Sequence, residues 1–199
     1  MIYFIITCCL LEKDYEIRKK QYILGITKLI NYTKNINCKL IIVENNGKRE
    51  TFLNHFGLNV LYTSNNEIKT NNKGIKELKD VRECITQFNI QDNDLIVKIT
   101  GRYILQENSE FITALRENNE CIMKYGNCQY TVMYKVTECL TVLVAMKCKY
   151  VLKIKVPSEY ENVECCWARA SFEIPDNNIK FMEKLGILVC PGNNNYFLV

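Results

Sequence analysis

The stretch Asp92-Asn93-Asp94-Leu95-Ile96-Val97-Lys98-Ile99-Thr100-Gly101-Arg102-Tyr103 sets an apolar run against an abrupt polar end. Leu95–Ile99 reads as a buried strand. Lys98, Thr100, Gly101 and Arg102 stand at its carboxyl end, where two cations, a hydroxyl and a glycine are poor packing material. They suit an anionic ligand, because open α/β sheets bind ligands at the carboxyl ends of their strands. The alternative is a strand edge guarded by charges. Asp92 and Asp94 precede the strand, so they belong to the opposite rim, where they cap and turn the chain.

Working outward, elements alternate. Ile2–Leu10 is a continuous apolar strand, and a helix follows from about Tyr15 to Thr33, with Tyr22, Ile23, Ile26, Leu29 and Ile30 at helical spacing. Lys39–Glu44 is a second strand, ended by the turn signal Asn45-Asn46-Gly47. Arg49–Phe56 is a short helix stopped by Gly57, and Leu58–Tyr62 a third strand. After the polar loop Thr63–Asn71, Asn72 caps a helix that turns Ile75, Leu78, Val81, Ile85 and Phe88 to the core. Leu95–Ile99 is then the fourth strand. This β-α-β-α-β-α-β order predicts a single α/β domain, Rossmann-like, with a mostly parallel sheet and helices on both faces. Beyond Glu120 the pattern is less regular. Cys121–Tyr125, Gln129–Val136 and Thr141–Lys147 read as strands, Lys149–Lys153, Glu159–Phe172 and Asn178–Leu185 as helices, and Ile187–Cys190 and Tyr196–Val199 as terminal strands. The single domain thus has a nucleotide-type first half and a more irregular second half.

Composition narrows the class. A hydrophobic content of 48% excludes global disorder. The net charge is only +4, with no Lys/Arg run interleaved with aromatics, so no nucleic-acid surface is expected. The 11 cysteines are odd in number, sit mostly in apolar runs and form no C-x-x-C, which points to reduced thiols and a cytoplasmic setting. A lone histidine, His55, cannot anchor a zinc site. The N-terminal run is too short to span a bilayer and lacks a basic leader region, so no transmembrane segment is expected.

Four polar clusters end strands or open helices in this scheme: Thr7-Cys8-Cys9, Glu44-Asn45-Asn46, Asn72-Lys73-Gly74 and Lys98–Tyr103. A parallel sheet brings such positions to one rim. Asn72-Lys73-Gly74 suits a phosphate or ribose, since a helix N-terminus favours negative charge; Glu44 and Asn45 could hydrogen-bond a base or ribose. An ordinary cap and an ordinary turn are the alternatives.

Ile42-Val43-Glu44-Asn45-Asn46, the N-K-G-x-x-E-L run Asn72–Leu78 and the K-x-T-G-R-Y run Lys98–Tyr103 resemble small GT-A-type glycosyltransferases, and within them viral and bacterial sugar transferases. The likeness covers residues 1–105. The Asn, Lys and Ile bias fits an AT-rich genome such as that of a giant virus, whose proteins would work in the host cytoplasm. The resemblance implies a nucleotide-sugar donor, a glycan or protein acceptor, and a donor site made of Thr7, Glu44, Asn45, Asn72, Lys73, Gly74, Lys98, Thr100, Gly101, Arg102 and Tyr103. Such enzymes carry an Asp-x-Asp pair after the fourth strand to hold Mn2+ or Mg2+ on the diphosphate. Here Thr100-Gly101-Arg102 occupies that place, which puts a divalent cation in question and offers Arg102, with Lys98 or Lys73, as the diphosphate's counter-charge.

An inverting transfer also needs a carboxylate to take the acceptor proton. Glu161 and Glu164 lie together ahead of an apolar run, and Glu164 adjoins Trp167, the single tryptophan, a ring on which a sugar could stack. Their alternative is an acidic first turn that favours the helix dipole. Three functions follow from this reading: a glycosyltransferase, a non-catalytic nucleotide-binding or interaction protein on the same fold, and a Rossmann enzyme of a dinucleotide or methyl donor. The last lacks the glycine-rich turn it would need after the first strand.

Overall fold

In a computed structural model that describes residues 1–126, 138–190 and 196–199, the alternating first half forms as its pattern requires. Strand β1 (Ile2–Cys8) leads through a short turn to α1 (Tyr15–Thr33), β2 (Cys38–Glu44), β3 (Asn59–Tyr62), α2 (Lys73–Gln87) and β4 (Leu95–Thr100). β1 lies between β2 and β4, parallel to both, and β3 flanks β2, also parallel. Thr51 caps the one-turn segment Phe52–Phe56, and Gly57 ends it at φ 68°, a left-handed conformation that glycine adopts without strain.

The second half extends the same sheet rather than building its own. After β5 (Ile104–Leu105) and α3 (Glu110–Ala114) come β6 (Cys121–Met123), β7 (Leu143–Lys147), α4 (Cys148–Val151), α5 (Val163–Ser171), β8 (Ile179–Phe181), β9 (Ile187–Val189) and β10 (Phe197–Leu198). Among the described residues the main sheet has seven strands in the order β3-β2-β1-β4-β7-β6-β8. Only β7 runs against the rest: it pairs antiparallel with β4 and β6, and β6 pairs parallel with β8. A small antiparallel sheet, β10-β9-β5, packs beside it. The sheet is therefore mostly parallel, as expected, with helices on both faces.

Alternation along β1 divides the core. Phe4 and Ile6 face α1, where they meet Tyr22, Ile26 and Leu29. Tyr3 and Ile5 face the other side, where Leu78, Val81 and Ile85 of α2 pack with Trp167 of α5. α1 approaches the β4–β5 connection so closely that a Cβ on Gly25 would stand 2.7 Å from the Tyr103 carbonyl oxygen. Glycine is required there by space, not by backbone angle.

Two expectations change. Glu159–Phe172 is not one helix: α5 begins at Val163, and residues 158–162 form a turn closed by Glu161 N donating to the Ser158 carbonyl. Asn178–Leu185 is not a helix but the strand β8 on the sheet edge, its pairing with β6 outweighing a weak local pattern. β9 and β10 fall within the expected terminal strands Ile187–Cys190 and Tyr196–Val199, whereas the two-residue β5 is too short to carry a readable pattern. The expected strand Gln129–Val136 lies outside the described residues. No disulfide joins the ten described cysteines, most of which are buried. Asp94 sits at the opposite rim, where its carboxylate accepts from the Met1 ammonium (2.9 Å) and the Gln91 amide (3.0 Å).

Candidate active site

The carboxyl ends of β1 and β4, the N-terminus of α2 and the start of α5 enclose two adjoining clefts. The first, about 290 Å³, is lined by Thr7, Cys9, Asn45, Lys73, Glu77, Asp80, Lys98, Thr100, Arg102, Tyr103, Thr141 and Glu164, with Arg18, Asn66 and Lys76 at its edge. The second, about 570 Å³, runs from Asn71–Gly74 along residues 159–164. Lys73, Glu77 and Glu164 belong to both and form the wall between them.

The floor is a polar chain. Lys98 points to the α2 face because it alternates with Val97 and Ile99, and it is only 2% exposed. Its ammonium pairs with Glu77 and donates to the Thr141 carbonyl (2.6 Å) and Thr100 Oγ1 (3.3 Å). Those three acceptors use all three of its protons. Glu77 also accepts from Thr7 Oγ1 at 3.1 Å. Thr141 Oγ1 donates to Glu164 Oε1 at 3.0 Å, so the same chain orients the α5 glutamate. Glu164 Oε2 takes no hydrogen bond among the described residues.

A second buried carboxylate anchors the neighbouring wall. Asp80, on the inner face of α2, accepts from Asn45 Nδ2 (2.8 Å), Thr63 Oγ1 (2.7 Å) and Asn65 Nδ2 (2.8 Å). Burial pushes its carboxyl up to about 6 against the opposing pull of these three donors.

The cations differ in what they have left to give. Lys73, exposed at the first turn of α2, has no side-chain partner among the described residues. Arg102 donates Nη1 to the Cys190 carbonyl (2.7 Å) and Nη2 to Tyr103 Oη (3.3 Å), which leaves other guanidinium protons free. Lys76 donates to the Asn66 carbonyl at 2.7 Å.

Of the other expected site residues, Gly74 and Glu161 line the larger groove but spend their groups on the scaffold, while Glu44, Gly101 and Trp167 stand apart from both clefts. Glu44 is fully buried on the α1 face, where Oε1 accepts from the Leu10 amide (3.0 Å) and pairs with Arg49 (3.4 Å); burial raises its carboxyl. Gly74 makes room for α5, since a Cβ there would lie 2.5 Å from Val163 Cβ. Its amide is capped by Asn72 Oδ1 at 2.9 Å. Gly101 likewise packs against Ile6 and Cys8. Glu161 lies before the helix, not on the face of Glu164, and pairs with Arg169, which holds its carboxyl below the usual range. Trp167 is 2% exposed in the core, so it offers no stacking face.

The sequence reading included Glu77 only as part of the N-K-G-x-x-E-L run, without a role, and did not single out Asp80, Arg18, Lys76 or Thr141. Glu77 and Asp80 were the findable ones: carboxylates four and seven residues past Lys73 share its helix face.

Against known proteins, no family model matches the chain, and no curated protein matches it by sequence. Solved structures do share its fold. A Bacillus anthracis protein named as a glucose-1-phosphate thymidylyltransferase, bound to sucrose, superposes with a TM-score of 0.58 at 13% identity, over 92% of this chain and 86% of its own. Glucosyl-3-phosphoglycerate synthase from Mycobacterium tuberculosis, bound to Mn2+, UDP and glucosyl-3-phosphoglycerate, gives 0.56 at 11%, over 91% and 68%. A mannosyltransferase from Pyrobaculum calidifontis, bound to GDP-mannose and Mn2+, gives 0.50 at 6%, over 92% of this chain but 56% of its own. At these identities the likeness shows a shared fold and no more. Thymidylyl and mannosyl transfer both occur on it, so chemistry must be argued from the site.

Manganese accompanies the nucleotide in two of these structures. Among the described residues the side chains at the cleft do not form a donor set for a divalent ion. β4 ends in Thr100-Gly101-Arg102; Glu77 is paired with Lys98, and Asp80 is engaged by three donors. Among the described residues no three His, Cys, Asp or Glu side chains converge as a metal site would need.

Proposed function

We propose that the protein is a glycosyltransferase that moves a sugar from a nucleotide-diphosphate donor to an acceptor hydroxyl, with protein cations in place of a metal. The single observation that carries this reading is the wall shared by the two clefts. It sets a free ammonium, Lys73, and a half-buried carboxylate, Glu164, between a pocket rich in cations and an open groove.

In this reading the donor lies in the smaller cleft, over Thr7, Asn45 and the Lys98 floor. Lys73 and Arg102 hold the diphosphate, and Arg102 offers planar, charge-assisted donors suited to phosphate oxygens. The acceptor enters along the larger groove. Its hydroxyl oxygen bonds to the anomeric carbon while the anomeric C–O bond to the β-phosphate breaks. The electron pair leaves with the nucleoside diphosphate, and the hydroxyl proton passes to Glu164 Oε2, steadied by Thr141 on Oε1. Residues 1–105 supply the donor half and 106–199 the acceptor half. Nucleotidyl transfer is disfavoured because the amides of Cys9 and Leu10, just past β1, are spent on Tyr22 Oη (2.8 Å) and Glu44 (3.0 Å), leaving them unable to cradle a triphosphate.

Calorimetry with UDP and GDP tests the assignment. Arg102→Ala removes a charge-assisted contact worth about 1.5–3 kcal/mol, or about one to two orders of magnitude in affinity. Arg102→Lys recovers part of it, since an ammonium keeps the charge but loses the fork. Wild-type affinity is unchanged when EDTA replaces manganese. Equal affinity in wild type and Arg102→Ala, or binding abolished by chelator, rejects the cation-held diphosphate.

A further inference from the structure

We infer that Tyr160 is the stacking platform of an acceptor sugar, a role that rests on the donor–acceptor reading above. Tyr160 is 98% exposed and lines the larger groove. A single exposed apolar side chain is ordinary on a protein surface. What sets this one apart is the backbone beneath it, fastened on both sides of the ring.

Asn72 Nδ2 donates to the carbonyls of Ser158 (2.8 Å) and Glu161 (2.8 Å) while its Oδ1 caps α2. The Glu159 carboxylate accepts from Thr70 Oγ1 and from the Asn71 amide (2.8 Å), which holds it below the usual carboxylate range. Glu161 is tied to Arg169. Residues 158, 159 and 161 therefore spend polar groups on the scaffold, while the Tyr160 ring between them is left almost fully open to water. A turn fixed this firmly has already lost the freedom that a ligand would otherwise have to remove, and such preorganisation favours binding.

The chemistry of the groove selects the ligand. Asn71, Asn162, Lys73 and Glu164 are donors and acceptors for hydroxyl groups, and a phenol ring is a flat apolar face with a polar tip. A pyranose presents both surfaces at once: a ring of hydroxyls at its edge and a patch of C–H bonds on one face. A peptide acceptor would need an apolar seat for its side chains, and the lining named here is polar. The shared wall places Glu164 between the platform and the donor cleft, where the hydroxyl of a sugar stacked on Tyr160 would meet the base.

The test is saturation-transfer NMR with the methyl α- and β-pyranosides of glucose, galactose and mannose, on wild type, Tyr160→Ala, Tyr160→Phe and Phe172→Ala. Phe172 is a second exposed aromatic, 51% accessible and outside the groove lining, and serves as the control. Tyr160→Ala should fold as wild type, since the ring touches little, and melting curves confirm it. We expect at least one glycoside to bind wild type, with its C–H protons receiving saturation. Affinity should fall by about tenfold in Tyr160→Ala and persist in Tyr160→Phe and Phe172→Ala. A wild-type protein that binds none of the six, or a Tyr160→Ala that binds as wild type, overturns the platform. Nucleotide-diphosphate calorimetry on wild type is independent of these readouts, so a failed donor site and a failed platform are told apart.

Discussion

Residues 1–105 and 106–199 contribute to one sheet by different means. The first half places long apolar strands between long helices, and each element buries a complete face. β1 shares backbone hydrogen bonds with β2 along seven residues and with β4 along six. The second half adds strands of three to five residues to an edge already formed, and α5 covers a face that α2 has begun. One half can specify its own structure; the other is specified by where it docks. The candidate site lies on the junction, where Lys73 and Glu77 of the first half and Glu164 of the second form the wall shared by the two clefts.

The strongest test of that division is the ion pair at the junction. Lys98 belongs to the first half, yet it holds the Thr141 carbonyl of the second, and through Thr141 the Glu164 carboxylate. Glu77→Leu strands a buried ammonium and should cost about 3–5 kcal/mol. Lys98→Met should cost less, because the glutamate left behind is 29% exposed and water can solvate it. The double variant should recover most of the loss, since an apolar pair often replaces a buried ion pair without penalty. Urea denaturation of the three variants measures the cycle. Additive losses would show that the pair is not coupled and that the halves are joined elsewhere.

Asp80 probes the first half alone, because its partners Asn45, Thr63 and Asn65 all lie there. Its folded value, about 6, is above its ordinary 3.8. The native state therefore binds more protons between these values, and stability is highest below pH 4 and falls as pH rises through about 6. At about 1.36 kcal/mol per unit, the loss approaches roughly 3 kcal/mol. Other carboxylates titrate too, so the measured quantity is the stability of wild type minus that of Asp80→Asn. That difference should shrink from pH 4 to pH 7. A difference that grows with pH would mean that the three donors outweigh burial and that the carboxylate is held ionised.

The two halves also differ in how well they could be read. α1 falls on Tyr15–Thr33 and the cap of α2 on Asn72, because 3.6-residue periodicity over four or more turns leaves little choice. The strand ends were legible for the same reason, and with them several residues that line the smaller cleft. Direction was not. Lys98 looks like a ligand in sequence and is a buried strut, while Glu44 ends its strand on the α1 face rather than the cleft. In the second half, β8 reads locally as helix and becomes strand only because β6 offers it an edge. Tyr160 was passed over because exposure is set by the turn that Asn72 fastens, 88 positions away from the ring.

Two glycines give the finest comparison, because each marks a close contact of a different kind. Gly25 sets α1 against backbone: a Cβ there would meet the carbonyl oxygens of Gly101 and Tyr103, the latter at 2.7 Å. Those atoms belong to the turn that closes β4, where Gly101 N donates to the Thr7 carbonyl (3.0 Å) and Tyr103 N to that of Thr100 (3.0 Å). They cannot yield without breaking the sheet rim. Gly74 sets α2 against a side chain of the second half, with Val163 Cβ at 2.5 Å. Only a shift of the first turn of α5 is needed to relieve it. Overpacking costs about 1–3 kcal/mol in general, offset slightly by the higher helix propensity of alanine. Gly25→Ala should fall at the upper end of that range and Gly74→Ala at the lower. Val163→Gly should partly rescue Gly74→Ala, because it removes the atoms that clash, whereas no side-chain change can rescue Gly25→Ala. Thermal melts of the four variants decide the matter. Equal costs at the two glycines would mean that the second half is as rigid as the first. It would then have to be counted as part of one continuous core rather than as a docked extension.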